Sequence, residues 1–191
     1  MLHGPRDLRL EDFSLETQEL GPDQVWVETE VSALSTGTDR GNYEGAEQVP
    51  GAPDYPRWVG YSNVGKVRAV GSDVDNFAVG DRVFAMQPHT SDYIVQESEG
   101  IVRVPDAVSS ENAVFTKLYH LGFHSLRHGG DIEGKSVAVV GLGILGLLTV
   151  ELARGQGARV IAIGNHPTRM ARAAQLGADL AVTSDDPQLE S

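Results

Sequence analysis

The hydrophobic positions of this chain change their period near its middle. In the first part they alternate with polar ones. From Val25 to Val31, Val25 and Val27 fall on one face and Trp26, Glu28 and Glu30 on the other, as in a half-buried strand. Short runs of the same kind stand at Asn63 to Val70, Asp81 to Phe84, Ser91 to Gln96 and Ile101 to Val104. A weaker alternation covers Asp7 to Phe13, with Leu8 and Leu10 between charged neighbours. Gly21-Pro22-Asp23, Gly71-Ser72-Asp73 and Gly80 supply turns between these segments. Short strands joined by tight turns predict a small barrel-like or sandwich domain.

Pro105-Asp106 ends the alternation. Ser109-Ser110-Glu111 reads as a helix start, and Asn112 to His128 as one helix or a pair. Beyond Gly129-Gly130-Asp131 the apolar runs become continuous. Ser136 to Val140 predicts a buried parallel strand, and Leu145 to Arg154 a helix. A strand (Arg159 to Ile163), a helix (Pro167 to Gly177) and a third apolar run (Leu180 to Thr183) follow. Two domains are expected, residues 1–128 and 129–191, with no internal repeat.

Between the first strand and helix of the second domain, Gly141, Gly143 and Gly146 stand at G-x-G-x-x-G spacing. The first glycine makes the turn. The second lets the backbone approach a pyrophosphate, and the third lets the helix pack on the strand. The amides of Ile144, Leu145 and Gly146 then open a helix N-terminus toward phosphate. The strand–glycine–helix context carries the reading, because the spacing alone is common.

The formal charge of −12 argues against a nucleic-acid surface. With no cysteine there are no disulfides and no thiolate metal ligands. No stretch is long and apolar enough for a membrane span, and the N-terminus has no signal-peptide core. A cytoplasmic protein acting on a small molecule, with neither nucleic acid nor membrane as partner, is the expectation.

The order of these pieces resembles the medium-chain dehydrogenase/reductase superfamily. Asp23 to Val27, Ser35-Thr36-Gly37-Thr38-Asp39, Gly60 to Val67 and the run GSDVDNFAVGDRV from Gly71 to Val83 carry the likeness, together with the glycine fingerprint. The resemblance implies α/β plus β: an N-terminal GroES-like β-barrel domain (1–128, with connecting helices), then the first half of a Rossmann doubly wound parallel sheet (129–191). It also implies an NAD(P)-dependent oxidoreductase.

Departures from the family pattern bear on mechanism. Thr36, Tyr61 and Ser62 stand where zinc members carry their "C", "H" and "E". Zinc sites are built from Cys, His and carboxylate, so the resemblance points to a zinc-independent branch with no metal ligands assigned. Asp39 and the six histidines are ligand types, but their order does not match the zinc pattern. An Asp or Glu closing the second strand would hold the ribose 2′-OH of NAD. Gly164 takes that place, followed by Asn165, His166 and Arg169, which favours NADP over NAD. The bland alternative leaves His166 and Arg169 as solvated residues at a helix start.

For proton delivery, Thr38 aligns with the relay hydroxyl of zinc alcohol dehydrogenases. Tyr61 and Thr36 occupy the lost ligand positions. Each has a structural alternative: the threonines satisfy backbone groups in a turn, and Tyr61 fills the space of the absent metal. Tyr119 and His120 are further candidates for the cleft. His120, His124 and His128 recur at helical spacing, as a metal stripe or an exposed face. The leading expectation is hydride transfer to or from a carbonyl, alcohol or activated alkene, within a longer enzyme. A metal-dependent alcohol or polyol dehydrogenase is a runner-up. The alternative class is an inactive fragment or interaction subunit, homo-oligomeric or completed by a chain that supplies the missing Rossmann half.

Overall fold

The structure is a computed structural model and describes residues 1–15, 17, 19–45 and 54–189. The chain forms two compact units, Met1–Thr116 and Lys117–Ser191.

In the first unit, β1 (Leu2–Gly4) and β2 (Asp7–Leu8) pair antiparallel. A five-stranded antiparallel sheet follows, from β3 (Gln24–Ser32), β4 (Asn63–Val70), β5 (Arg82–Ala85), β6 (Asp92–Gln96) and β7 (Val102–Arg103) in the order β6-β3-β4-β5-β7. Helix α1 (Thr38–Glu44) lies between β3 and β4 in the chain, and α2 (Ser110–Ala113) follows β7. Strand period places Val25, Val27, Val67, Val83 and Val95 in one core. Val64 and Phe84, cross-strand partners at odd offset from Val67 and Val83, belong to a second cluster with Val104, Ala113 and Val114. Strands β4 and β5 are therefore buried on both faces. The extended β reading of Asp7 to Phe13 is not realised beyond Leu8: Asp7 and Leu8 pair with Gly4 and Leu2, and Leu10 lies fully exposed.

The second unit holds α3 (Thr116–His128), β8 (Ser136–Val140), α4 (Ile144–Gly155), β9 (Arg159–Ile163), α5 (Pro167–Gln175) and β10 (Leu180–Val182). Its strands are parallel in the order β10-β9-β8, the arrangement of the first mononucleotide half of a Rossmann sheet. Val139, Val150, Ala153, Val160, Ala162 and Ala173 form its core. The chain divides at 116/117, whereas the sequence reading placed the division at 128/129. Helix α3 is the reason. Leu126 is part of the second unit's core, and a side chain at Gly122 would meet Thr149 and Leu152 of α4 at 2.9 and 3.2 Å.

Candidate nucleotide cleft and substrate cavity

The fingerprint glycines serve three different needs. Gly141 adopts φ +92°, a left-handed conformation that favours glycine, as the chain leaves β8. At Gly146 a Cβ would lie 1.9 Å from the Gly141 carbonyl oxygen, so the third glycine lets α4 close onto the turn. Gly143 is different. Its φ is −72°, open to any residue, and a Cβ there would meet nothing within 4 Å. Nothing in the protein requires glycine at this helix N-cap, and the space above it is open.

A cleft of about 400 Å³ lies over this turn, lined by Gly141, Gly143, Gly164, Asn165, His166 and Arg169, with Val140, Leu142, Ile163 and Ser184. Ile144, Leu145 and Gly146 begin α4 beside it without being among its lining residues. Ser184 follows β10 and was not singled out in the sequence. Its signal was topological, since parallel strands bring their C-terminal ends to one edge. Gly164 packs against Leu142, whose side chain a Cβ would approach to 2.9 Å, so an Asp or Glu at this position would displace Leu142. Arg169 is exposed in the first turn of α5 and, among the described residues, forms no ion pair.

The first unit contains a larger cavity, about 750 Å³. Leu2, Leu8, Leu10, Leu34, Tyr43 and Val59 give it apolar walls, and Ser32, Ser35, Thr36, Asp39 and His89 supply polar groups. Ser32, Asp39 and His89 form one cluster. His89 is held through its backbone N–H, which donates to the Val59 carbonyl at 2.8 Å. Gly60, at φ +97°, leaves room for the imidazole, whose atoms a Cβ would approach to 2.6 Å. The Ser32 hydroxyl donates to the Ser62 carbonyl at 3.1 Å and also bonds His89 Nδ1. With its own proton committed, Ser32 accepts from Nδ1–H, which leaves Nε2 as the basic nitrogen of neutral His89. Nε2 lies 3.5 Å from Asp39 Oδ2, which itself accepts the Ser35 N–H at 2.6 Å. His89 Nε2 and Asp39 Oδ1 are both buried and lack a hydrogen-bond partner.

Of the residues expected to handle protons, Thr36 is exposed and lines this cavity. Thr38 and Tyr61 are half-buried and do not line it. Thr38 opens α1, and its carbonyl accepts from Asn42 Nδ2 at 3.1 Å. Ser62 is buried, with its hydroxyl donated to the Val114 carbonyl. Tyr119 belongs to the second unit and donates to Glu151 at 2.7 Å. Burial and then the Glu151 carboxylate push its pKa up to about 12. His120, His124 and His128 are exposed on α3, with 3.1 Å between the Nε2 atoms of His124 and His128. Among the described residues no group of three or more His, Asp or Glu could hold a metal ion.

The architecture is a GroES-like β domain followed by the first half of a Rossmann sheet with an open glycine turn. The family model "Alcohol dehydrogenase GroES-like domain" matches residues 21–122, and the chain belongs to that family. Human sorbitol dehydrogenase is 26% identical over 221 aligned residues, covering 98% of this chain and 61% of its own. The structure of 2R,3R-butanediol dehydrogenase from Bacillus subtilis shares the fold with a TM-score of 0.84 at 23% identity, over 98% of this chain and 64% of that one. A Sinorhizobium meliloti 1021 structure bound to NADP matches with a TM-score of 0.74 at 26% identity, over 90% of this chain and 56% of that one. The chain spans about 60% of the length of the curated relatives it matches.

Proposed function

We propose that these two units belong to a zinc-independent, NADP-preferring oxidoreductase that moves a hydride to or from a small carbonyl, alcohol or activated alkene. Gly143 carries the nucleotide part. A glycine that neither conformation nor packing demands is accounted for by a pyrophosphate resting on its Cα. When bound, the nucleotide supplies the hydride. The α4 N-terminus would hold its phosphates, and Asn165, His166 and Arg169 would lie toward its adenosine ribose. The preference for NADP rests on the missing acidic residue at Gly164 and on Arg169 as a cation for a 2′-phosphate. The relative solved with NADP agrees with this choice.

Zinc independence rests on the donor set. Thr36, Tyr61 and Ser62 are poor ligands, and the Ser62 hydroxyl is already spent on the Val114 carbonyl. Thr36 remains the candidate hydroxyl at the cavity, which Thr38 and Tyr61 do not line. Fluorescence titration of the chain with NADPH and NADH is the test. Tighter NADH binding would reverse the preference, and binding of neither would overturn the nucleotide reading.

A further inference from the structure

We propose that His89 and Asp39 form the acid–base pair of this enzyme, acting on an apolar carbonyl compound, or its alcohol, bound in the first unit's cavity. The inference deepens the oxidoreductase reading and rests on it. Three observations converge. The pair stands in the wall of a 750 Å³ cavity, a volume suited to a small organic molecule. Two of its atoms, His89 Nε2 and Asp39 Oδ1, are buried without hydrogen-bond partners; both accept when His89 is neutral, so the hydroxyl of a bound alcohol satisfies one of them, and a carbonyl oxygen is met by Nε2–H once His89 is protonated. The Val59 carbonyl anchors the His89 backbone and Ser32 engages Nδ1, so Nε2 is the ring nitrogen left to exchange a proton.

The remaining lining argues for substrate class. Leu2, Leu34 and Val59 are apolar. The two arginines at the cavity are committed, Arg9 to Asp7 at 2.7 Å and Arg40 to Glu44 at 3.1 Å. Among the described lining residues a sugar phosphate would meet only cations already bonded, the Met1 ammonium to the Arg9 carbonyl and the two arginines to carboxylates, and a polyol would leave most of its hydroxyls against hydrocarbon. A ketone or aldehyde with an apolar body places one oxygen at the polar cluster and buries the rest.

With a reduced nicotinamide bound to supply the hydride, the carbonyl carbon would receive it and the C=O π pair would move onto oxygen. That oxygen takes the proton from His89 Nε2–H. The products are an alcohol, oxidised nucleotide and neutral His89, with Asp39 stabilising the imidazolium beforehand. Oxidation runs the same steps backward. Neither Nε2 nor Oδ1 is open to solvent in this conformation, so ligand entry requires one of the two side chains to turn.

The test uses the full chain and two independent readouts. Acetophenone, titrated without nucleotide, is expected to shift the His89 imidazole NMR signals saturably, while sorbitol and sorbitol 6-phosphate leave them in place. Unmoved signals with acetophenone, or a response to sorbitol instead, would overturn the proposal. With NADPH and acetophenone, His89→Gln is expected to lower kcat at least 100-fold with NADPH affinity unchanged, as for loss of a general acid. Asp39→Asn is expected to lower it about tenfold. Unchanged kcat in a folded His89→Gln protein refutes the proton role. Should that variant fail to fold, Asp39→Asn and the wild-type NMR titration still decide. Failure of NADPH to bind would instead sink the oxidoreductase reading, with the acetophenone titration reporting separately on the cavity.

Discussion

Alanine at Gly143 and alanine at Gly146 should separate nucleotide binding from stability. The two positions lie in one turn and differ in what a single methyl would meet. At Gly146 it would sit 1.9 Å from the Gly141 carbonyl oxygen and 3.0 Å from the carbonyl carbon. Both are backbone atoms, and Gly141 is tied by its N–H to the Ile163 carbonyl at 2.9 Å. Relief needs the start of α4 to move off the sheet by more than about 1 Å. Overpacking of this kind costs about 3 kcal/mol, against about 1 kcal/mol gained by replacing a helical glycine with alanine. The net loss is about 2 kcal/mol, which moves a urea midpoint by about 1 M for an m-value near 2 kcal/mol/M. At Gly143 the methyl meets nothing within 4 Å and φ is −72°. Reduced unfolded-state entropy and a slightly poorer N-cap roughly cancel, leaving stability within about 0.5 kcal/mol of wild type. The same methyl would occupy the space assigned to the pyrophosphate, so NADPH affinity should fall at least about tenfold, or about 1.4 kcal/mol. Urea unfolding followed by circular dichroism and NADPH fluorescence titration read the two effects. A Gly143→Ala protein that binds NADPH as wild type does would refute the argument from open space. A Gly146→Ala protein of unchanged stability would refute the packing argument.

Arg169→Ala should weaken NADPH about fivefold to tenfold and leave NADH unchanged, because only the 2′-phosphate is expected to use the guanidinium; equal losses for both nucleotides would place Arg169 elsewhere. Stability should fall as pH rises from about 10 to about 12, since the folded state keeps the Tyr119 proton that the unfolded chain gives up. Buried Tyr93, whose pKa is also raised by burial, acts in the same direction, and a urea midpoint flat across that range would contradict both. Ser109→Ala should cost about 1 kcal/mol, because the Ser109 hydroxyl accepts the Asn112 N–H at 3.3 Å as the N-cap of α2; an unchanged melting curve would show the cap to be replaceable.

The elements most legible in the sequence were those whose burial leaves a pattern. Asn63 to Val70, Ser136 to Val140 and Arg159 to Ile163 begin and end where the apolar runs do. Helix α1 was not foreseen. Its residues, TDRGNYE, carry no apolar stripe, and local bonds sustain it, with the Asp39 carboxylate on the Ser35 N–H and the Asn42 amide on the Thr38 carbonyl. Leu10 misled for the opposite reason: alternation is visible in sequence, but the strand partner that would use it is not.

By itself the sequence determined the class of the fold, the strand–glycine–helix turn and the departures from a zinc ligand set. Each is written in local spacing or residue type, and backbone geometry and donor chemistry act over a few residues. Tertiary structure decided what each glycine is for, where α3 belongs, and that Ser32, Asp39 and His89 meet. A cluster assembled from a strand, a helix and a loop has no spacing in the chain. It exists only once the sheet brings those segments to one cavity.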